Sequence, residues 1–171
     1  QVESGTLLRT LPLHSQRVNA LAFHPDGHLL ASVGSDGAIN LIEMSDEHEA
    51  QHDRLPVRTL AAEQNLRFFA ATFSPDGKRF VAGCNDGKLH VWDAPFEQQP
   101  QQTLAHRGEI RAVAFCADSR FLFSAGNDSV IRLWDCTDMH CCQSLNGHKE
   151  TVHTLALGLQ NRLLASGSED A

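Results

Sequence analysis

Four residue types recur along this chain at one fixed set of steps. His106, Ser124, Asp128 and Trp134 are separated by 18, 4 and 6 residues. His14, Ser32, Asp36 and Ile42 stand at the same steps, with isoleucine in the tryptophan position, and His148, Ser166 and Asp170 repeat the first two. Gln64, Ala82, Asp86 and Trp92 hold the register without the histidine and the serine. A spacing that outlives its marker residues belongs to a repeated backbone unit, and periods of roughly 20–50 residues mark repeat architectures. Asp86 to Asp128 and Asp128 to Asp170 are each 42 residues, whereas Asp36 to Asp86 is 50, so the first interval carries an insertion.

Each unit reads as short strands between turns. In the third, Ile110–Phe115, Arg120–Ala125 and Val130–Trp134 are apolar or β-branched runs, and Cys141–Leu145 is a poorer fourth. Ala117-Asp118-Ser119 and Gly126-Asn127-Asp128-Ser129 separate them, and the first two units place Pro25-Asp26-Gly27 and Pro75-Asp76-Gly77 at the first turn. Proline pre-sets φ and glycine supplies positive φ there. Such strands predict an all-β fold. The near-continuous run of Val18 to Phe23 is too apolar for a sheet with one wet face. It fits a blade buried on both sides, and no window carries the 3.6-residue spacing of helical repeats.

The chain has a formal net charge of −7 and no Lys/Arg-rich block, which argues against direct nucleic-acid binding. No apolar run approaches a membrane span. Five cysteines at irregular spacings, without C-x-x-C, predict free thiols in a reducing compartment, cytoplasm or nucleus. No G-x-G-x-x-G or P-loop pattern is present, and no cofactor is expected.

Leu-Asn-Gly-His (145–148), Phe-Ser-Pro-Asp-Gly (73–77), Ser-Asp-Gly (35–37), Val-Trp-Asp (91–93) and Leu-Trp-Asp (133–135) resemble WD40 repeats along the whole chain. The resemblance implies a WD40 β-propeller segment of about four blades of four-stranded antiparallel sheet, incomplete at both ends. Residues 7–11 would be the outer strand of a preceding blade. Residues 13–60 would form blade one with a polar insertion at 44–55, 64–104 blade two, 106–145 blade three and 148–171 a truncated blade four. The remaining blades would lie outside this chain, and the segment alone is expected to be marginally stable and prone to self-association.

The resemblance also assigns the recurring residues to a structural hydrogen-bond tetrad: His14, Ser32 and Asp36; Asp86 and Trp92; His106, Ser124, Asp128 and Trp134; His148, Ser166 and Asp170. Aspartate accepts from histidine, histidine reaches serine, and serine reaches the Trp N–H. Because the set repeats in each blade, a hydrolase triad is not the reading. Blades one and two, with incomplete sets, are expected to be less rigid. The partner-binding top face is carried over three and five residues after the histidine and one before the aspartate. It comprises Arg17, Asn19, Ser35, Arg67, Phe69, Asn85, Glu109, Arg111, Asn127, Thr151, His153 and Glu169, with Gln64 taken as the histidine stand-in of blade two. Arg17, Arg67 and Arg111 point to acidic or phosphorylated peptide groups, and Phe69 to an aromatic anchor.

His48-Glu49-Ala50-Gln51-His52 matches H-E-x-x-H, which in zinc peptidases sits on a stable helix. Here the surrounding segment is polar throughout, so a solvated loop is expected and no metal is assigned. The resulting expectation is a non-catalytic scaffold holding protein or peptide partners in a complex. A member of an RNA-processing or mRNA-export complex is the alternative, suggested by residues 148–155 and 166–170. Enzymatic activity through a further domain or the H-E-x-x-H segment is the third reading.

Overall fold

The structure, a computed structural model, describes residues 5–7, 9–44, 55–158 and 161–170. Every regular element among them is a strand. In chain order they are β1 (Val18–Phe23), β2 (Leu29–Gly34), β3 (Ala38–Glu43), β4 (Val57–Ala62), β5 (Phe68–Phe73), β6 (Arg79–Cys84), β7 (Lys88–Asp93), β8 (Gln101–Leu104), β9 (Ile110–Phe115), β10 (Phe121–Gly126), β11 (Val130–Asp135), β12 (His140–Asn146), β13 (Val152–Gly158) and β14 (Leu163–Ser168). They form three four-stranded sheets, each in simple sequential order, and the hairpin β13–β14. All pairings are antiparallel.

Side-chain alternation explains why these strands are apolar on both faces. On β6, Phe80, Ala82 and Cys84 pack with Val33, Ile39 and Leu41 of the sheet before. The intervening Val81 packs with Ile110, Leu122 and Trp134 of the sheet after. A third core joins Ala125 and Ile131 to Val152. Each core is therefore shared between neighbouring blades, and burial of this apolar area, at roughly 25 cal/mol per Å², holds the blades together. On β1, Ala20 and Ala22 pack against the second blade, whereas Leu21 and Phe23 are 62% and 61% exposed on its other face.

The turns alternate between two ends of the stack. At one end the first turns link adjacent blades. His24 Nε2 donates to the Gly77 carbonyl at 3.0 Å, the Asp76 N–H to Ser119 Oγ at 2.9 Å, and the Ala117 N–H to Asn161 Oδ1 at 3.0 Å. At the other end lie the Asp-containing turns. The residue after the aspartate has positive φ in three blades: Gly37 (75°), Gly87 (78°) and Ser129 (60°). At Gly37 a Cβ would stand 1.9 Å from the Glu63 carbonyl oxygen, so glycine there serves close approach as well as φ.

The described residues of 7–11 join none of the sheets among the described residues. One expectation needs adjustment. Gln64 is exposed and does not take the histidine position of the second blade. A glutamine on the strand-to-strand connection gains more from water than from burial without a full set of partners. Of the polar insertion at 44–55, only Met44 and Leu55 are described; His48, Glu49 and His52 lie outside the described residues.

Candidate functional site

The recurring polar residues meet as a tetrad in the third blade. His106 Nδ1 lies 2.8 Å from Asp128 Oδ1, His106 Nε2 lies 2.7 Å from Ser124 Oγ, and Trp134 Nε1 donates to Ser124 Oγ at 2.8 Å. Asp128, as an acceptor, favours the proton on Nδ1, while Arg132, 2.7 Å from the same nitrogen, donates to Asp128 Oδ2 at 2.8 Å. Nε2 then accepts the serine O–H, and the serine oxygen accepts the indole N–H. Burial holds the His106 imidazole below its ordinary pKa against the pull of Asp128, and the nearby Arg132 guanidinium adds to the lowering. The ring is thus neutral. Asp128 is itself held below the ordinary carboxylate value: burial would raise it, but His106, the Arg107 N–H and Arg132 together outweigh that. Such a closed chain strengthens each of its members.

Blade one keeps the first two links, with His14 Nδ1 at 3.0 Å from Asp36 Oδ1 and Nε2 at 2.9 Å from Ser32 Oγ. Ile42 fills the tryptophan position as buried hydrocarbon. Asn40, four residues after the aspartate, adds a substitute link by accepting from Thr59 Oγ1 at 2.8 Å and donating to the Leu13 carbonyl at 3.2 Å. In the fourth unit His148 contacts Asp170 at 2.9 Å and Ser166 at 2.7 Å. The second blade is different. Asp86 meets no histidine from the inter-blade connection; its neighbours are Lys88 and the buried His90 of β7.

The carried-over surface residues gather at the Asp-turn end. The residue three after the histidine position and the one before the aspartate are bonded through the backbone in all four units. Ser35 N–H donates to the Arg17 carbonyl (2.8 Å), Asn85 to Arg67 (2.9 Å), Asn127 to Glu109 (3.0 Å) and Glu169 to Thr151 (3.1 Å). The residue five after the histidine position is a β-bulge in every unit. Val18 pairs with Gly34 and Ala20 with Val33, so Asn19 has no partner in the ladder. Phe69 is skipped in the same way between Phe68 and Ala70, Arg111 between Ile110 and Ala112, and His153 between Val152 and Thr154. A bulge re-aims the extra side chain out of the pleat. Here all four bulged side chains turn into one hollow of about 270 Å³, which Arg17 and Ser35 complete.

The hollow is partly pre-arranged. Arg111 stacks over the Phe69 ring, its Cζ 4.2 Å from the centroid. Its guanidinium is tied to Glu109 and lies 3.3 Å from Asn127 Oδ1. His153 contacts Glu169 at 2.7 Å, and Asn19 donates to Ser35 Oγ at 2.9 Å and to the Phe68 carbonyl at 2.8 Å. Arg17 has no acidic partner among the described residues. Arg67 is exposed and does not line the hollow. A larger hollow of about 480 Å³ at the opposite end, between blades two and three, is lined by Lys78, Arg79 and Arg120 against Asp76, Asp93 and Asp118. Its charges balance, and its arginines are spent on Asp93 and Asp135.

What the sequence could not show was the bulge. The step of five locates the residues, but the slip of the ladder that aims them is a backbone property. His90 escapes sequence reasoning because its step, four residues after the aspartate, holds a different residue type in each blade.

The WD40 family model, described as "WD domain, G-beta repeat", matches residues 5–43, 54–93, 98–135 and 139–171. The chain is 35% identical over 94 residues to the anaphase-promoting complex subunit cdh1 of Dictyostelium discoideum, covering 55% of this chain and 11% of that protein. It is 33% identical over 87 residues to the beta subunit of a guanine nucleotide-binding protein of Zea mays, covering 50% and 22%. Over 115 residues it is 29% identical to the WD repeat-containing protein slp1 of Schizosaccharomyces pombe, covering 67% and 22%. The matches thus span less than a quarter of each relative's length. Among solved structures, the one titled "Structure of U3-55K" superposes with a TM-score of 0.73 at 21% identity, over 86% of this chain and 44% of that one, which shows the fold alone.

Proposed function

The chain belongs to the WD40 repeat family, and from that premise we propose that it is part of a non-catalytic scaffold which binds protein segments across the Asp-turn end of its blades. The observation that carries the reading is the convergence of four bulged side chains, Asn19, Phe69, Arg111 and His153, on one hollow beside Arg17. An aromatic–arginine stack with an adjacent uncommitted arginine suits a peptide that sets an apolar group on Phe69 and a carboxylate or phosphate on Arg17. Relatives named as parts of protein complexes support the scaffold reading. Nothing in the set resembles a nucleophile with its base, and each Ser–His–Asp group is committed to its own blade. Five unpaired thiols support an intracellular setting. No helix among the described residues is long and apolar enough to cross a membrane.

The test is a peptide array probed with the chain and with two charge reversals. Peptides carrying an acidic or phosphorylated residue beside an apolar one should bind, and Arg17→Glu should abolish that binding. Arg120→Glu, at the opposite end, should leave it intact. Equal loss in both variants, or preference for basic peptides, would overturn the reading.

A further inference from the structure

The second blade has lost the histidine that each other unit uses to bridge its serine and aspartate, and two other side chains occupy the neighbourhood of its turn aspartate. One is Cys84, two residues before Asp86. Blades one and three have Gly34 and Gly126 at that step, and in blade one a Cβ at Gly34 would come within 2.6 Å of both His14 Nδ1 and Asp36 Oδ1. In the fourth unit Ser168 stands at this step beside the retained His148, so what sets blade two apart is the thiol at this position together with the missing histidine. The other is His90, four residues after the aspartate, where the neighbouring blades place Asn40 and Arg132.

Both replacements are buried, Cys84 at 0% and His90 at 2% exposure. His90 Nε2 has no hydrogen-bond partner, and its separation of 3.6 Å from Asp86 Oδ2 is too long for one. A buried imidazole nitrogen left in this way costs on the order of 1–3 kcal/mol, so it is a group that a ligand would satisfy. One ligating atom from each of Cys84, Asp86 and His90 lies within 4.8 Å of the others. The gap of 3.6 Å between nitrogen and carboxylate oxygen is close to the edge of a tetrahedron whose metal–ligand bonds are about 2.0–2.2 Å.

We propose that Cys84, Asp86 and His90 form a metal site for a zinc-class divalent ion, which takes the bridging role of the absent tetrad histidine in blade two. Sulfur, imidazole and carboxylate form a donor set for zinc or cobalt and a poor one for magnesium or calcium. Binding would release the Cys84 thiol proton to solvent. Thiolate and carboxylate would then neutralise the ion's two charges, and the buried site would carry no net charge. A fourth position is left for water or a further ligand. The gain would be structural, since Cys84 ends β6, Asp86 lies in the following turn and His90 lies on β7, so the ion would cross-link β6 to β7.

Titration of the full chain with cobalt(II), followed by absorption, tests this. One ion per chain should bind with a thiolate-to-cobalt charge-transfer band and release about one proton. The near-isosteric Cys84→Ser should lose the band, and His90→Asn should weaken binding by at least roughly tenfold. The double variant His48→Ala/His52→Ala should bind as the unaltered chain does. Absence of the band in the unaltered chain overturns the proposal. So does its survival in Cys84→Ser, or its loss in the His48/His52 variant. Zinc-edge X-ray absorption on the unaltered chain reads the site without any substitution. One sulfur among the ligands supports it, and none or two, the latter pointing to Cys141 and Cys142, refutes it.

Discussion

Replacing Ser124 with alanine removes one oxygen and leaves two buried groups unpaired: the Trp134 N–H, bonded at 2.8 Å, and His106 Nε2, at 2.7 Å. Neither reaches water, since His106 and Trp134 are buried along with the serine itself. Each orphaned group costs about 1–3 kcal/mol, which places Ser124→Ala at about 2–4 kcal/mol after partial relaxation. The same substitution at Ser32 loses only the His14 link at 2.9 Å, because Ile42 brings no donor, and Asn40 Nδ2 still lies 3.4 Å from that nitrogen. Its cost is about 1–2 kcal/mol. With a urea slope of about 1–3 kcal/mol per molar, Ser124→Ala lowers the midpoint by roughly 1–2 M and Ser32→Ala by about half as much. The two tryptophans, Trp92 and Trp134, report the transition in blades two and three by fluorescence. Equal shifts for the two variants would show that the indole bond contributes nothing and would refute the account of the complete tetrad.

Three further outcomes are expected. Since burial first holds His106 and His90 below their ordinary pKa, the unfolded chain takes up these protons sooner than the folded one. Their contribution is full above about pH 6.5 and is lost as pH falls toward the folded values, with Asp36 and Asp128 adding a second loss below about pH 4. Urea midpoints measured from pH 7.5 to 3 should therefore fall in two stages, and a flat profile between pH 7 and 5 would count against neutral buried imidazoles. Gly37→Ala, with its Cβ 1.9 Å from the Glu63 oxygen, should cost more than about 3 kcal/mol. Gly27→Ala, at similar φ but with nothing within 4 Å, should cost about 1–2 kcal/mol, a contrast that thermal melts resolve. In the metal-free chain, iodoacetamide at neutral pH should modify the exposed Cys142 first. Cys84 and Cys136, buried and with thiols pushed up to about 11, should stay unlabelled by peptide mass mapping.

Much of the fold was legible because its markers answer to one constraint. A buried His–Ser–Asp set must keep its spacing to keep its hydrogen bonds, so the register survives in sequence even where Ile42 or Ala82 interrupts it. The double-sided apolar strands followed from the same logic, since Val81 and Ala82 face different blades. The lining of the hollow was legible in position and illegible in shape. A step of five residues finds Asn19, Phe69, Arg111 and His153, but the bulges that turn them into one hollow leave no residue type behind. Gln64 misled for a physical reason: register assigns it the histidine's place, yet that connection leaves it in water. Arg67 was grouped with Arg17 and Arg111 by register, and the hollow separates it from them.

We propose that partners meet this protein at the end where the bulged residues converge. Photo-crosslinking in the full-length protein tests it most directly, with a benzophenone amino acid placed at Phe69 in one variant and at Thr137, on the rim of the opposite hollow, in another. The probe at 69 should capture a discrete protein partner, Arg17→Glu should remove the adduct, and the probe at 137 should not capture the same partner. Adducts that form only from position 137, or that form from 69 regardless of Arg17, would contradict it.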